Sequence, residues 1–329
     1  MIDKLIKIIR SSIRFICACL VSMLILTLFT LIYSFSGLHV KNDTGATDYK
    51  WSPYQYKATM TEGFAWIKMD QSGFNNPKQV SRNTLDILVM GSSQMEAINV
   101  SQNDNAVALL RKMLPDEIIY NIGISAHSIY VCAKNLAAAV KEYRPSDYVI
   151  VVADMVSLSD ADMQKVIDGK FKTIPSYDSG ILYYIQKYCP AIKNLYNSIQ
   201  DWKEAEHKSA KSQEKNEEEA LLLNDFLRKM KADSGDTQLI ILYQPRTKID
   251  ERGQFVDSGE DVAPFEEACK INDIIFVDMT DDFDQLYYRD HILTHGFFNT
   301  AVGVGHLNKY GHRAIAERLA DVIMEDQKK

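Results

Sequence analysis

Residues 85–94 read LDILVMGSSQ, and this stretch decides the fold. Residues 85–90 are apolar except for Asp86 and rich in branched side chains, the pattern of a strand buried on both faces. A turn at Gly91 lifts the following serines above the edge of a sheet. Four more runs of the same kind lie downstream: EIIYNI (117–122), YVIVVA (148–153), QLIILY (238–243) and IIFVDM (274–279). Helical stretches around 103–113, 128–143, 213–232, 261–271 and 309–325 alternate with them. Such alternation predicts right-handed crossovers and an α/β fold. The expectation is a three-layer α/β/α sandwich around a five-stranded parallel sheet, of the flavodoxin-like kind.

In an open parallel sheet, ligands bind beyond the carboxyl ends of the strands. Gly91, Ser92, Ser93 and Gln94 follow the first run, and Asn121, Gly123, Ser125, Ala126 and His127 end or follow the second. Asp154 follows the third and Arg246 the fourth, Asp278 closes the fifth, and residues 303–308, GVGHLN, come later. A serine and a histidine thus converge on one edge. Where a serine hydroxyl acts as a nucleophile, a neighbouring imidazole can take its proton. Asn121, Gly123 and Asp154 are expected to line the pocket, with His127 beside them. His312 reads as a packed or solvated helix residue.

The runs ILVMGSSQMEAINV (87–100), YNIGISAHS (120–128) and GFFNTAVGVGHLNKYGHRAIAERLA (296–320) resemble the sequence blocks of the SGNH, or GDSL, hydrolase superfamily. The likeness extends over residues 83–325, and its informative pair is GSSxxE after an apolar strand with GHLNxxGH near the C-terminus. It implies the same sandwich, with Ser93 as nucleophile, Ser92 in the place of the family's Asp, and His306 as base. It also implies an oxyanion hole made by the backbone N–H groups of Ser93 and Ala126, or of Gly123 by a looser alignment. A GSS block behind one N-terminal span further resembles proteins that transfer D-alanine to teichoic acids.

Three positions depart from the family pattern. Ala126 stands in place of a glycine, which keeps the N–H. VVADMVSLSD has no asparagine, and its nearest residue, Asp154, cannot donate to an oxyanion when ionised. Gly303 stands where the family carries an aspartate three residues before the histidine. The expectation is therefore a Ser–His dyad with the tautomer of His306 fixed by a backbone carbonyl. Asp278 and Asp290 are the candidates for a carboxylate arriving from elsewhere.

No charged residue lies between Arg14 and Lys41, and residues 15–35, FICACLVSMLILTLFTLIYSF, are almost wholly apolar. At about 1.5 Å of rise per residue, roughly 20 residues cross the hydrocarbon core. The run exceeds the ~7–15 residues of a signal-peptide core, so it reads as an uncleaved anchor even though Ser34, Phe35 and Ser36 have a small-x-small form. Lys4, Lys7, Arg10 and Arg14 precede it, which puts the N-terminus in the cytoplasm and residues 41–329 outside. The expected division is a basic tail (1–14), an anchor (15–36), a linker or cover segment (37–82) and an SGNH-like domain (83–329). Residues 202–220 are densely charged with mixed signs, which reads as a solvated helix or a partly disordered insertion.

The net charge is −7, and the basic N-terminus leaves the globular part more acidic still. That acidity argues against nucleic acid as a partner, since phosphate binding needs a basic face. Of five cysteines, Cys17 and Cys19 fall in the apolar run; Cys132, Cys189 and Cys269 are widely spaced, which allows one disulfide and argues against a metal site. No cofactor is expected. Two functions remain in view. One is a membrane-anchored extracytoplasmic serine esterase or O-acyltransferase acting on acyl groups of a cell-envelope glycan. The other is a catalytically degenerate module of the same fold that binds glycan or scaffolds an envelope assembly.

Overall fold

All five apolar runs are strands of one parallel sheet: β1 Leu85–Gly91, β2 Ile119–Asn121, β3 Pro145–Ala153, β4 Gln238–Tyr243 and β5 Ile275–Asp278. The computed structural model describes residues 2–33, 39–54, 56–59, 62–77, 85–173, 217–301 and 303–329. The spatial order is β2-β1-β3-β4-β5, so the chain reverses its direction of travel beside β1. That reversal opens a crevice at the carboxyl ends of β1 and β3.

The pleat sends alternate side chains to opposite faces. Leu88, Met90, Val149, Val151, Leu239 and Ile241 enter one core with helices Ile129–Tyr143, Asp160–Ile167, Glu217–Asp233 and Ala263–Ile271. Ile87, Val89, Ile150, Val152, Ile240 and Leu242 enter the other with helices Ala106–Met113, Thr280–Asp290 and Lys309–Asp326. Each such side chain contributes ~1.5–3 kcal/mol on burial, so the sheet is a firm base for the loops at its edge. Helices Asp160–Ile167 and Thr280–Asp290 are not evident in the sequence. They bury only Met163 and Val166, and only Phe283, which is too little for a periodic apolar stripe.

The described part of the cover segment is folded rather than a linker. His39–Lys41 pairs with Tyr49–Trp51, and Tyr56–Thr59 pairs with Ala65–Lys68, both antiparallel. Tyr49, Trp51, Ala65, Ile67 and Met69 form a small core with Ile124, and these residues belong to the same compact unit as the sheet. Asp70 locks the segment down. Its Oδ1 accepts the N–H of Ser72 (2.7 Å) and Phe74 (3.1 Å), while Oδ2 accepts Asn76 Nδ2 (2.9 Å) and the Tyr120 hydroxyl of β2 (2.6 Å).

The N-terminal helix, Ile2–Tyr33, belongs to a unit separate from the sheet, and those of its side chains that are described are exposed. Its stretch Ile6–Leu26 is long and apolar enough to cross a membrane by length and composition. That stretch overlaps the expected span and starts earlier, taking in Lys7, Arg10 and Arg14. Ser34, Phe35, Ser36, Cys189 and most of 202–220 lie outside the described residues. Cys132 and Cys269 are buried free thiols rather than disulfide partners.

Two buried histidines set a pH dependence. Burial holds His295 neutral, with a pKa lowered to about 4, and His312 likewise, lowered to about 3. His312 Nδ1 accepts the N–H of Ala106 (3.3 Å), so packing on its helix is the reading that holds. In the unfolded chain each titrates near ~6.5. The unfolded state therefore binds more protons below that value, and the stability these residues contribute, full above it, is lost as pH falls toward their folded values. The urea midpoint should drop between pH 7 and pH 5, with a shallower drop in His312→Asn. Parallel pH profiles for the two proteins would contradict this assignment.

Candidate active site

β1 ends at Gly91, and Ser92 keeps extended backbone (φ −80°, ψ −158°) before a four-residue helix, Ser93–Glu96, turns the chain upward. The loop after β2 crosses this helix closely. A Cβ on Gly123 would lie 2.5 Å from Met95 Cβ, so only glycine permits the approach. Ser93 is thereby raised at the carboxyl edge, half-buried, beside the loop that precedes helix Lys309–Asp326. Ser93 Oγ lies 2.9 Å from His306 Nε2.

Local hydrogen bonds place His306. The N–H of Leu307 donates to Gln94 Oε1 (2.8 Å), the N–H of Gly296 donates to the His306 carbonyl (3.0 Å), and the N–H of Asn308 donates to the Thr294 carbonyl (2.9 Å). Asn308 then caps the last helix, its Oδ1 accepting from Tyr310 N (2.9 Å) and Gly311 N (3.3 Å). The imidazole is thus held at both ends of its loop.

The carboxylate facing His306 is Glu62, from the tip of the Tyr56–Lys68 hairpin. Glu62 Oε2 lies 2.5 Å from His306 Nδ1, and Oε1 accepts the His306 backbone N–H at 2.6 Å. An acceptor on Nδ1 puts the ring proton there and leaves Nε2 bare to receive the Ser93 hydroxyl proton. Burial by itself pushes the Glu62 carboxyl up. The hydrogen bonds from the His306 ring and backbone, with the neighbouring imidazole charge, outweigh it and hold the pKa below the ordinary value. Gly305 makes the approach possible: it has φ +99°, and a Cβ there would sit 2.3 Å from Glu62 Oε1. The hairpin tip is fastened on both sides. Asn99 Nδ2 donates to the Glu62 carbonyl (3.0 Å), and Gly63 N donates to Asn299 Oδ1 (2.8 Å).

The dyad expected from the sequence is therefore corrected to a Ser93–His306–Glu62 relay. Neither Asp278 nor Asp290 serves His306. Asp278 Oδ1 accepts the N–H (2.9 Å) and hydroxyl (2.7 Å) of Thr280 at a helix start, and Asp290 is paired with Arg289 at 2.8 Å. Asn121 is fully buried and braces the site from below, donating to the Met95 carbonyl (2.7 Å) and accepting from Gly123 N (2.8 Å). Asp154 is paired with Arg246 at 2.7 Å, which offsets its charge. His127 is buried and structural, accepting the N–H of Asp48 at 3.1 Å. Neither Asn121 nor His127 is open to a ligand.

Glu96 organises the loop that carries Ala126. This carboxylate is 1% exposed, accepts Trp51 Nε1–H at 2.5 Å, and takes both the N–H (3.2 Å) and the hydroxyl of Ser125. Ala126 follows in the left-handed region (φ +60°), exposed. Among the described residues, no acceptor takes the backbone N–H of Ser93 or of Ala126.

No protein-family model matches the sequence, and neither does any curated protein. Among solved structures, the chain is similar to a psychrotrophic esterase from Pseudoalteromonas sp. (16% identity, TM-score 0.37, 74% of this chain and 99% of that one). It is also similar to a lipolytic protein of the G-D-S-L family from Veillonella parvula (14%, 0.39, 73% and 99%) and to an acetyl xylan esterase (15%, 0.39, 73% and 100%). Likeness at this level carries no functional weight, because one fold hosts many chemistries. The chemistry is read from the side chains of this chain.

Removal of Glu62 should slow covalent labelling of Ser93 by a fluorophosphonate. Glu62→Gln should lower the second-order rate by about 10²–10⁴-fold, since the ring loses the group that fixes its tautomer. Gly305→Ala should do the same by displacing that carboxylate, while Asp278→Asn and Asp290→Asn stay near the parent rate. Equal loss in either aspartate variant would contradict the relay.

Proposed function

We propose that this chain is a serine esterase or O-acyltransferase of the SGNH type, acting on ester-linked acyl groups. The Ser93–His306–Glu62 hydrogen-bond relay is the observation that carries the reading. As Ser93 Oγ attacks the acyl carbonyl, its proton passes to His306 Nε2, and Glu62 stabilises the imidazolium without taking the proton. The tetrahedral oxyanion is received by the untaken N–H groups of Ser93 and Ala126, supported by the Glu96 clamp on Ser125. His306 then protonates the leaving alcohol, and the acyl group stays on Ser93. Water resolves this ester in hydrolysis, and a sugar hydroxyl resolves it in transfer. General-base help contributes about 10²–10⁴-fold, and one oxyanion donor about 10²–10³-fold. A family-type asparagine is absent, so a slow hydrolase or a dedicated transferase is the natural outcome.

The finer reading is that the N-terminal helix anchors the enzyme with its domain outside the cytoplasm, acting on a cell-envelope glycan. The basic residues before the apolar stretch support that orientation. The missing asparagine and the unfilled acid position at Gly303 favour a non-catalytic glycan-binding or scaffolding module, and Glu62 answers the second of these grounds.

Ser93→Ala should abolish turnover of p-nitrophenyl acetate, with a smaller loss in Ser92→Ala. Turnover by wild type no faster than by Ser93→Ala would remove the esterase reading. For topology, a reporter active only outside the cytoplasm, fused after Lys329, should be active; activity of a cytoplasmic reporter alone would reverse the orientation.

A further inference from the structure

An aromatic rim borders the relay. Phe64 and Phe298 are 58% and 87% exposed, and they flank the clasp in which Gly63 N donates to Asn299 Oδ1. Trp66, 61% exposed, shares the outward face of the hairpin with Tyr56, their rings 5.9 Å apart. At the open end of the hairpin Lys68 Nζ stands over the rings of Tyr54 and Tyr56, at 5.9 and 5.4 Å. Single exposed apolar residues need no explanation. Here they run from one end of a hairpin to the carboxylate that serves His306.

The composition of this face indicates its occupant. Phenylalanine and tryptophan at one end, with tyrosines under a lysine at the other, match the chemistry of a bilayer interface, where amphipathic rings sit at headgroup depth beside cations. Sugar recognition would pair its aromatic rings with hydrogen-bonding partners, and Phe64 and Phe298 offer none through their side chains. Chain length points the same way. Helix Ile2–Tyr33 is followed by only five residues, 34–38, before strand His39–Lys41, a reach of at most about 20 Å. His39 packs on Trp51 with ring centroids 3.8 Å apart, and Tyr54 lies three residues further on. The chain therefore enters the domain next to the lysine end of the aromatic face.

We propose that this face rests on the surface of the bilayer that holds the N-terminal helix, so that the mouth of the Ser93 site opens onto lipid headgroups. The inference rests on the anchor reading of that helix and deepens the proposed acyl chemistry: the group handled by Ser93 is one presented at the membrane surface.

The test uses the full chain in nanodiscs of mixed phosphatidylcholine and phosphatidylglycerol, plain or brominated near the headgroup. The emission lost in Trp66→Phe isolates the Trp66 signal. Bromolipid should lower that signal by more than half, and a Phe298→Trp probe in the Trp66→Phe protein should be quenched likewise. Equal Trp66 emission in both lipids overturns the proposal. A Trp66 response to soluble oligosaccharide without a bromolipid effect also overturns it, in favour of a sugar platform. Fluorophosphonate labelling of Ser93 in the same sample keeps the two readings apart. Labelling without quenching removes the bilayer contact alone, whereas quenching without labelling supports the contact and removes the acyl-transfer reading.

Discussion

The contact between Glu62 and His306 joins residues 244 positions apart and sets the conditions that much of the outer domain meets. With Gly303 offering no side chain, Glu62 reaches Nδ1 of that imidazole because the segment bearing it folds back over the sheet edge. The Tyr56–Lys68 hairpin does this, and the small core of Trp51, Ile67 and Ile124 holds it there. Asp70 repeats the fastening at β2 through Tyr120. Gly305 clears the space into which the carboxylate fits. The cover segment is thus part of the candidate site.

A second buried carboxylate works alongside the first. Glu96 gathers Trp51 from the cover segment and Ser125 from the loop after β2, and it sits three residues beyond Ser93. Each partner donates a hydrogen bond to it, which offsets the desolvation that an unpaired buried charge would suffer. The Ser93–Glu96 helix, the Ala126 loop and the cover segment therefore share one polar junction. Displacing the cover segment would disturb His306 through Glu62 and the Ala126 loop through Glu96 together.

The sheet is legible in the sequence because strands covered on both faces must be nearly continuous apolar runs, as 148–153 is and as 85–90 is apart from Asp86. Ser93 and His306 are legible because each lies in a compact local pattern, a serine after a buried strand and a histidine just before a capped helix. Glu62 is not, since no spacing rule connects it to residue 306 and its neighbours read as an aperiodic polar and aromatic stretch. The vacant acid position at Gly303 is its trace, since it leaves room for a carboxylate from elsewhere in the chain. Asp278 and Asp290 look eligible by position, but short-range partners, Thr280 and Arg289, satisfy them first. Asn121 and Gly123 belong to the site as its floor, a role that burial decides and sequence alone does not.

Ser93, activated by His306 and Glu62, is proposed to carry the acyl group. Rapid acid quenching of the full chain with p-nitrophenyl acetate, followed by peptide mass spectrometry, locates that group. One acetyl group is expected on Ser93 in the parent protein and none in His306→Ala. An adduct on another residue, or undiminished acetylation of Ser93 without His306, would contradict it.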